Sequence, residues 1–372
     1  MSILFESTEI NGMRLDNRIV RSATWEGMAA QDGGCTPELV DVISALAKGG
    51  VGLVITSHAY VRSDGQAGAR QLGIYDDALI KGYHKMTGAV HELGGRIVTQ
   101  IAHAGLFASF KLTEQVPMAP SRLEGLTQFP HREMSIEDIQ EVTASFGRAA
   151  YRAREAGFDG IQLHSAHGYL MSQFLSPAFN KRRDDYGGPL RNRVRFILEV
   201  LNRVRAEVGD DFPILVKMNS EDFVENGLTQ EDSVKAGVML QEEGIDAIEL
   251  SGGTPFSGEL GGIRKGIKSE ADEAYFRDAA KAFKEALWIP IILVGGIRSF
   301  QVAEDLITGA TADYISMSRP FIREPALVNR WKSGDRSRAR CLSDSHCFRP
   351  IISGEGIHCV VERKQQTALN PT

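Results

Sequence analysis

Cysteine is scarce in this chain: four residues in 372, at Cys35, Cys341, Cys347 and Cys359. Thiols so few and so spaced form no secreted disulfide framework. No apolar run approaches the roughly 18 residues needed to span a membrane. Residues 1–17 lack the basic start and apolar core of a secretory leader, so a cytoplasmic protein is expected. Positive charge is also short: 42 Lys and Arg against 48 Asp and Glu leave a formal net charge of −6. That balance sets aside nucleic acid and an anionic membrane surface as partners, while still allowing a local basic pocket. Low-complexity segments are missing as well. What remains, 42% hydrophobic and 24% charged residues, is the composition of a globular protein with material for a large core.

Short apolar runs alternate with helical patterns almost to the end of the chain. Strands are expected at 17–22, 51–56, 96–101, 160–163, 214–218, 247–251, 291–294 and 314–317. Helices are expected at 37–48, 77–93, 135–156, 189–208, 229–243, 271–287, 299–308 and 325–332. Gly49-Gly50 and Gly94-Gly95 stop two of these helices, and Ser135 with Asp138 caps a third. Eight strands buried on both faces, each followed by a helix, are what a single-domain (β/α)8 TIM barrel requires. An open doubly wound sheet would want a glycine-rich phosphate turn after its first strand, and none follows Ser22. Two long connections, 102–134 and the glycine-rich 252–268, are candidate lids over the mouth.

In such a barrel the working residues gather at the C-terminal strand ends. Those ends supply Ala23 and Thr24, Ser57 and His58, Gln100 and His103, then His164, His167 and Tyr169. Further on they supply Lys217, Ser251 to Gly253, Gly295 and Gly296, and Ser318 and Arg319. Gly295 and Gly296 would let backbone N–H groups approach an anion, and Arg319 adds a fixed fork of donors. The last two turns therefore read as a phosphate site. His164, His167 and Tyr169 leave the fourth strand together and can donate hydrogen bonds into one cleft. Histidines three apart can also bind zinc, but no acidic partner follows at metal-site spacing. Lys217 at a strand end admits a different chemistry, a non-redox phosphate-binding lyase or isomerase working through a Schiff base.

One long, ordered stretch carries a resemblance. It runs through His164-Ser165-Ala166-His167-Gly168-Tyr169-Leu170, Phe174-Leu175-Ser176-Pro177, and Asp185-Tyr186-Gly187-Gly188 with Asn192-Arg193 and Arg195-Phe196. This resembles the Old Yellow Enzyme family of FMN-dependent NADH:flavin oxidoreductases and ene-reductases. The resemblance extends from Leu15 to about Pro325. It implies an FMN-binding barrel over 1–335, followed by a C-terminal extension over 336–372, in a homo-oligomer. It also implies an enzyme that takes hydride from NADH or NADPH and passes it through the flavin to an electron-poor C=C bond. The partner is then a small molecule, an enone, enoate or similar compound.

Residue roles follow from the same resemblance. Gln100 would meet the pyrimidine edge of the flavin. Lys217 stands near N1 and C2=O, where the family usually carries an arginine. Ala23, Thr24 and Ser57 line the cofactor, while Gly295, Gly296, Ser318 and Arg319 hold its phosphate. His164 and His167 bind the electron-withdrawing group of the substrate, Tyr169 protonates its α-carbon, and His103 belongs to the substrate pocket.

Two departures stand out. Trp25 occupies a position where many members carry a small cysteine or threonine. Its indole would narrow the substrate pocket and offers only an N–H, which leaves a flavin protein with a blocked face as a third reading. Cys341, Cys347 and Cys359 resemble the [4Fe–4S] site of larger relatives of the 2,4-dienoyl-CoA reductase type, with Asp344 where another cysteine would fall. Such clusters prefer thiolates, so the three are read as free thiols of a degenerate site, with no iron–sulfur cluster expected.

Overall fold

The computed structural model describes residues 2–123 and 130–369. Residues 124–129 of the first candidate lid and 370–372 of the C-terminal extension lie outside the described residues. Eight parallel strands close into a barrel. They are β1 (Ile19–Arg21), β2 (Leu53–Tyr60), β3 (Ile97–Ala102), β4 (Gly160–Ser165), β5 (Ile214–Asn219), β6 (Ala247–Ser251), β7 (Ile291–Leu293) and β8 (Tyr314–Met317). Closure comes where β8 pairs with β1, Ile315 opposite Ile19. Outside run α1 (Pro37–Lys48), α2 (Ile80–Glu92), α3 (Ile136–Glu155), α4 (Arg195–Val208), α5 (Gln230–Glu242), α6 (Arg277–Ala286), α7 (Phe300–Thr308) and α8 (Leu327–Lys332). The fold is the TIM barrel that the alternation predicts. At α3 the predicted cap is present, with Ser135 and Asp138 each bonding the other's backbone N–H.

Side-chain alternation divides every strand between two environments. On β5, Ile214, Val216 and Met218 join the core under the helices, while Leu215 points into the barrel. Val20, Leu53, Ile55, Val98, Leu215, Ala247, Ile292 and Tyr314 form an apolar layer inside it. An N-terminal hairpin, Thr8–Ile10 paired with Met13–Leu15, lays Ile10, Met13 and Leu15 against that layer. The hairpin closes the N-terminal end of the barrel, and its strands are too short to announce themselves in the sequence. One inward position higher, the residues turn polar: Ser22, Gln100, Gln162, Lys217, Glu249 and Ser316 are all buried.

Several elements depart from expectation. β2 continues to Tyr60 and slips register between Ile55 and His58. The helix expected at 189–208 divides into Leu190–Arg193 and α4. The one expected at 271–287 begins as a separate turn, Glu270–Asp272, cut off where Ala274 takes φ +52°. A helix at Leu170–Leu175 follows β4 at once. After α8 the chain returns over the C-terminal mouth, where Ala339 N–H donates to Arg298 O (2.9 Å) and Ile357 N–H donates to Glu26 O (2.8 Å). Among the described residues, no helix is long and apolar enough to cross a membrane.

Leu15→Ala tests the hairpin as a structural plug. Leu15 is fully buried, so its truncation should cost about 2–5 kcal/mol and lower the midpoint of chemical denaturation. An unchanged midpoint would mean that the barrel end is closed by other groups.

Candidate active site

A cleft of about 490 Å³ opens at the C-terminal end of the barrel, within the roughly 300–1,000 Å³ of small-molecule and cofactor sites. Its floor is the polar layer. Lys217 Nζ donates to Ser22 Oγ (2.7 Å) and stands 3.4 Å from Glu249 Oε1. Glu249 Oε1 accepts from Ser22 Oγ (2.6 Å) and Ser316 Oγ (2.7 Å), and its Oε2 accepts from Gln162 Nε2 (2.8 Å). Gln162 Oε1 in turn accepts from Gln100 Nε2 (2.7 Å). Burial pushes the Glu249 carboxyl up, but Lys217 and the donors Ser22, Ser316 and Gln162 outweigh it and hold the group below its ordinary value.

One wall is built by the turn after β4. His167 sits in the left-handed region at φ +58° and Gly168 follows at +77°. Few residues other than glycine adopt that conformation, so its occupation by His167 is strained and held by its surroundings. Asn219 Oδ1 from β5 accepts the His167 N–H (3.0 Å), and Gln173 Nε2 donates to Gly168 O (2.6 Å). The turn brings His164, His167 and Tyr169 to the cleft together. The His164 ring lies 5.5 Å from that of His167 and 4.4 Å from that of Tyr169. His167 Nε2 is 2.6 Å from Ser251 Oγ, which fixes its ring. His164 Nδ1 is buried with no hydrogen-bond partner among the described residues.

Residue by residue, the cleft takes in Ala23, Thr24, Trp25, Gln100, His164, His167, Tyr169, Lys217, Gly296, Ser318 and Arg319. Thr24 Oγ1 and Ser318 Oγ are 2.7 Å apart across the β1–β8 seam. Gly295 lies just behind the lining, against Tyr275. Two expected residues fall elsewhere. Ser57 is buried outside the cleft, because the register slip in β2 changes the phase of alternation. His58 reaches the cleft in its place, with Nε2 2.9 Å from Tyr169 Oη. His103 is not a pocket residue either: its Nδ1 accepts from Gly105 N–H (3.0 Å) and its Nε2 lies 3.3 Å from Asp64 Oδ1. Trp25 stands edge-on to His58 with ring centroids 6.3 Å apart, and its Nε1 is buried without a partner among the described residues. Gly68 leaves it room, since a Cβ there would come within 2.7 Å of the indole.

At the far end, the C-terminal segment joins the wall. Ser343 and Phe348 line the cleft, and Arg319 donates to Ser343 O (3.3 Å) and Ser345 Oγ (3.0 Å). Arg298, also in the lining, donates to Cys341 O and Ile267 O. Behind it, Cys341, Cys347 and Cys359 share one small cavity of about 20 Å³ with Asp344 on its wall. The Asp344 carboxylate is engaged by His346, through its N–H (3.1 Å) and ring Nδ1 (3.4 Å). Burial holds the Cys341 and Cys347 thiols up, the latter to about 12. Among the described residues, no group of three or more His, Cys, Asp or Glu side chains is arranged to hold a metal ion.

Comparison with known proteins decides the family. Residues 3–337 match the NADH:flavin oxidoreductase / NADH oxidase family. The chain belongs to that family. An NADH oxidase of Thermoanaerobacter brockii is 35% identical over 91% of this chain, which spans 52% of that protein. A 4,4'-dithiodibutanoate disulfide reductase of Rhodococcus erythropolis is 30% identical, with 96% of this chain and 94% of that protein covered. A 2-naphthoyl-CoA reductase, solved with 2-naphthoyl-CoA, superposes with a TM-score of 0.89 at 26% identity, covering 99% of this chain and 58% of that one. The chain thus spans about half the length of the first and third of these proteins. The chemistry of the NADH:flavin oxidoreductase family is flavin redox, in place of the lyase reading of Lys217.

The residues present fit FMN. Polar groups on the floor (Gln100, Lys217) suit a flavin ring, and Gly296, Ser318 and Arg319 at the other end suit a phosphate. Burial pushes His58 down to about 4, and burial with the nearby Lys217 charge pushes His167 down to about 3. His164 is driven well down by burial and by His167, His58 and Lys217. Burial likewise holds the Tyr169 phenol above its ordinary value.

The histidines predict an acid limit to stability. Unfolded, they take up protons near 6.5; folded, His58 does so only near 4 and His167 near 3. The unfolded chain therefore binds more protons in between, so stability falls as pH drops below 6.5 and is unaffected by these groups above it. Thermal melting from pH 7 to 4 should show that decline, and His58→Gln should make it shallower. An unaltered slope in the variant would remove His58 from the account.

Proposed function

We propose that this protein is an FMN-dependent ene-reductase, drawing on NADH or NADPH and reducing an electron-poor C=C bond conjugated to a carbonyl or similar group. The unpartnered Nδ1 of His164, buried beside His167 and Tyr169 in one cleft, is the observation that carries this reading. A buried polar atom without a partner costs about 1–3 kcal/mol, a cost offset when a ligand oxygen meets it. When bound, FMN would supply the two-electron redox chemistry that links the nicotinamide to the alkene.

The chain's own residues supply the rest. His164 and His167, neutral at physiological pH, donate hydrogen bonds to the substrate oxygen and stabilise the negative charge that develops there. Ser251 keeps the His167 ring from rotating away. Tyr169 holds its proton at Oη until the α-carbon takes it, and His58 Nε2, 2.9 Å away, orients the phenol. Trp25 narrows the approach and selects slim or planar substrates. Lys217 places its ammonium group in the floor of the cleft, and Arg319 anchors the phosphate end.

The disulfide reductase matched over nearly its whole length favours a second reading of the acceptor, a small organic disulfide. A disulfide offers no carbonyl oxygen for the histidines, so the two readings separate by experiment. On the alkene reading, a phenolate binds the purified flavoprotein and gives a long-wavelength charge-transfer band. His164→Ala should weaken that binding at least tenfold and slow enone reduction, while leaving reduction by the nicotinamide nearly unchanged. Tyr169→Phe should slow only the reaction with the enone. Normal phenol binding by His164→Ala, or faster turnover with disulfides than with enones, would overturn the ene-reductase reading.

A further inference from the structure

A carboxylate is an unexpected group to bury beneath a flavin site. Glu249 is 0% exposed and Lys217 3% exposed; the two are register partners on adjacent strands of the same polar layer, and Lys217 lines the cleft whereas Glu249 does not. Burying an ionised carboxylate costs several kcal/mol unless charge and hydrogen bonds compensate it. Here the compensation is complete on both oxygens: Ser22 and Ser316 donate to Oε1, Gln162 donates to Oε2, and Lys217 Nζ stands 3.4 Å from Oε1. A barrel interior packed with an apolar residue at this position would avoid the cost altogether. Nothing in substrate binding uses Glu249, since no part of it belongs to the cleft lining.

The carboxylate has two effects at the cleft. It offsets the Lys217 charge at 3.4 Å, so the floor presents an oriented ion pair in place of a free cation. It also sets the polarity of two amides. An ionised carboxylate can only accept, so Gln162 must turn Nε2 toward it and present Oε1 to Gln100 on the adjacent strand. Gln100 must then donate Nε2 to Gln162 (2.7 Å), which leaves Gln100 Oε1 to the cleft. The signal thus runs from Glu249 on β6 through Gln162 on β4 to Gln100 on β3.

We propose that Glu249 is a positioning residue that sets the reduction potential of the bound flavin, by offsetting Lys217 and by fixing which end of Gln100 faces the cleft. The assignment rests on the reading that FMN occupies the cleft. Reduced flavin carries more negative charge than oxidised flavin, so an uncompensated Lys217 would favour the reduced form. Glu249 holds that preference down. The effect keeps the flavin a stronger reductant than the lysine alone would allow, which suits transfer to an alkene.

The test is the midpoint potential of FMN in the holoprotein, measured against reference dyes at neutral pH. Glu249→Gln should shift the two-electron equilibrium toward reduced flavin at least tenfold, about 30 mV for a two-electron couple. Glu249→Asp, which keeps the charge, should stay within threefold of wild type. Lys217→Gln should shift the equilibrium the other way, and the double variant Lys217→Gln/Glu249→Gln should lie between the two single variants. Comparison of Lys217→Gln with Lys217→Gln/Glu249→Gln keeps the test open should Glu249→Gln alone fail to fold. An unchanged potential in Glu249→Gln, or equal shifts in the Gln and Asp variants, would overturn the assignment. A wild-type protein that takes up no FMN would defeat the cofactor reading, and this assignment with it.

Discussion

Alternation inside a closed barrel is the constraint on which the rest of the structure depends. Every second residue of a short strand must point inward, and the interior has room only for layers. Val20, Val98, Leu215, Ala247 and Ile292 fill the lower layer with carbon, sealed by Leu15 of the hairpin. Two residues further along the same strands come Ser22, Gln100, Lys217 and Glu249, and above them the cleft opens. The change from apolar to polar occurs within a single step of the alternation. Because of it, a charged floor rests on a rigid apolar one, and the donors that face the cleft cannot drift.

Much of this was open to reading from the residues alone. Eight apolar runs spaced by helical patterns locate the strands, and the barrel follows from their number and double-sided burial. Most of the residues at the strand ends, from Ala23 and Gln100 to Ser318 and Arg319, come together because the C-terminal ends of a barrel share one face. Ser57 and His58 mark the limit. A register slip between Ile55 and His58 reverses the phase, and no residue type in Ile55-Thr56-Ser57-His58 signals it. Glu249 marks another. Its partners Ser22 and Ser316 lie 227 and 67 residues away, so nothing adjacent in the chain announces that an acid within Ile248-Glu249-Leu250 is compensated. His103 misleads for a simpler reason: the strand ends at Ala102, and the next residue already belongs to the turn.

The C-terminal segment builds part of the Arg319 end of the cleft. Ser343 and Phe348 form part of its wall, and Arg319 is tethered to that segment by two hydrogen bonds. The cavity shared by Cys341, Cys347 and Cys359 abuts the same arginine. Changes in that region therefore bear on the cleft through Arg319, although the thiols lie outside it.

The account stands on the cleft above the polar layer being a flavin site. The visible absorption spectrum of the freshly purified protein tests that claim most directly. Flavin bands at one FMN per chain, bleached by NADH or NADPH under anaerobic conditions, are the predicted result. A colourless protein that takes up no added FMN would contradict it.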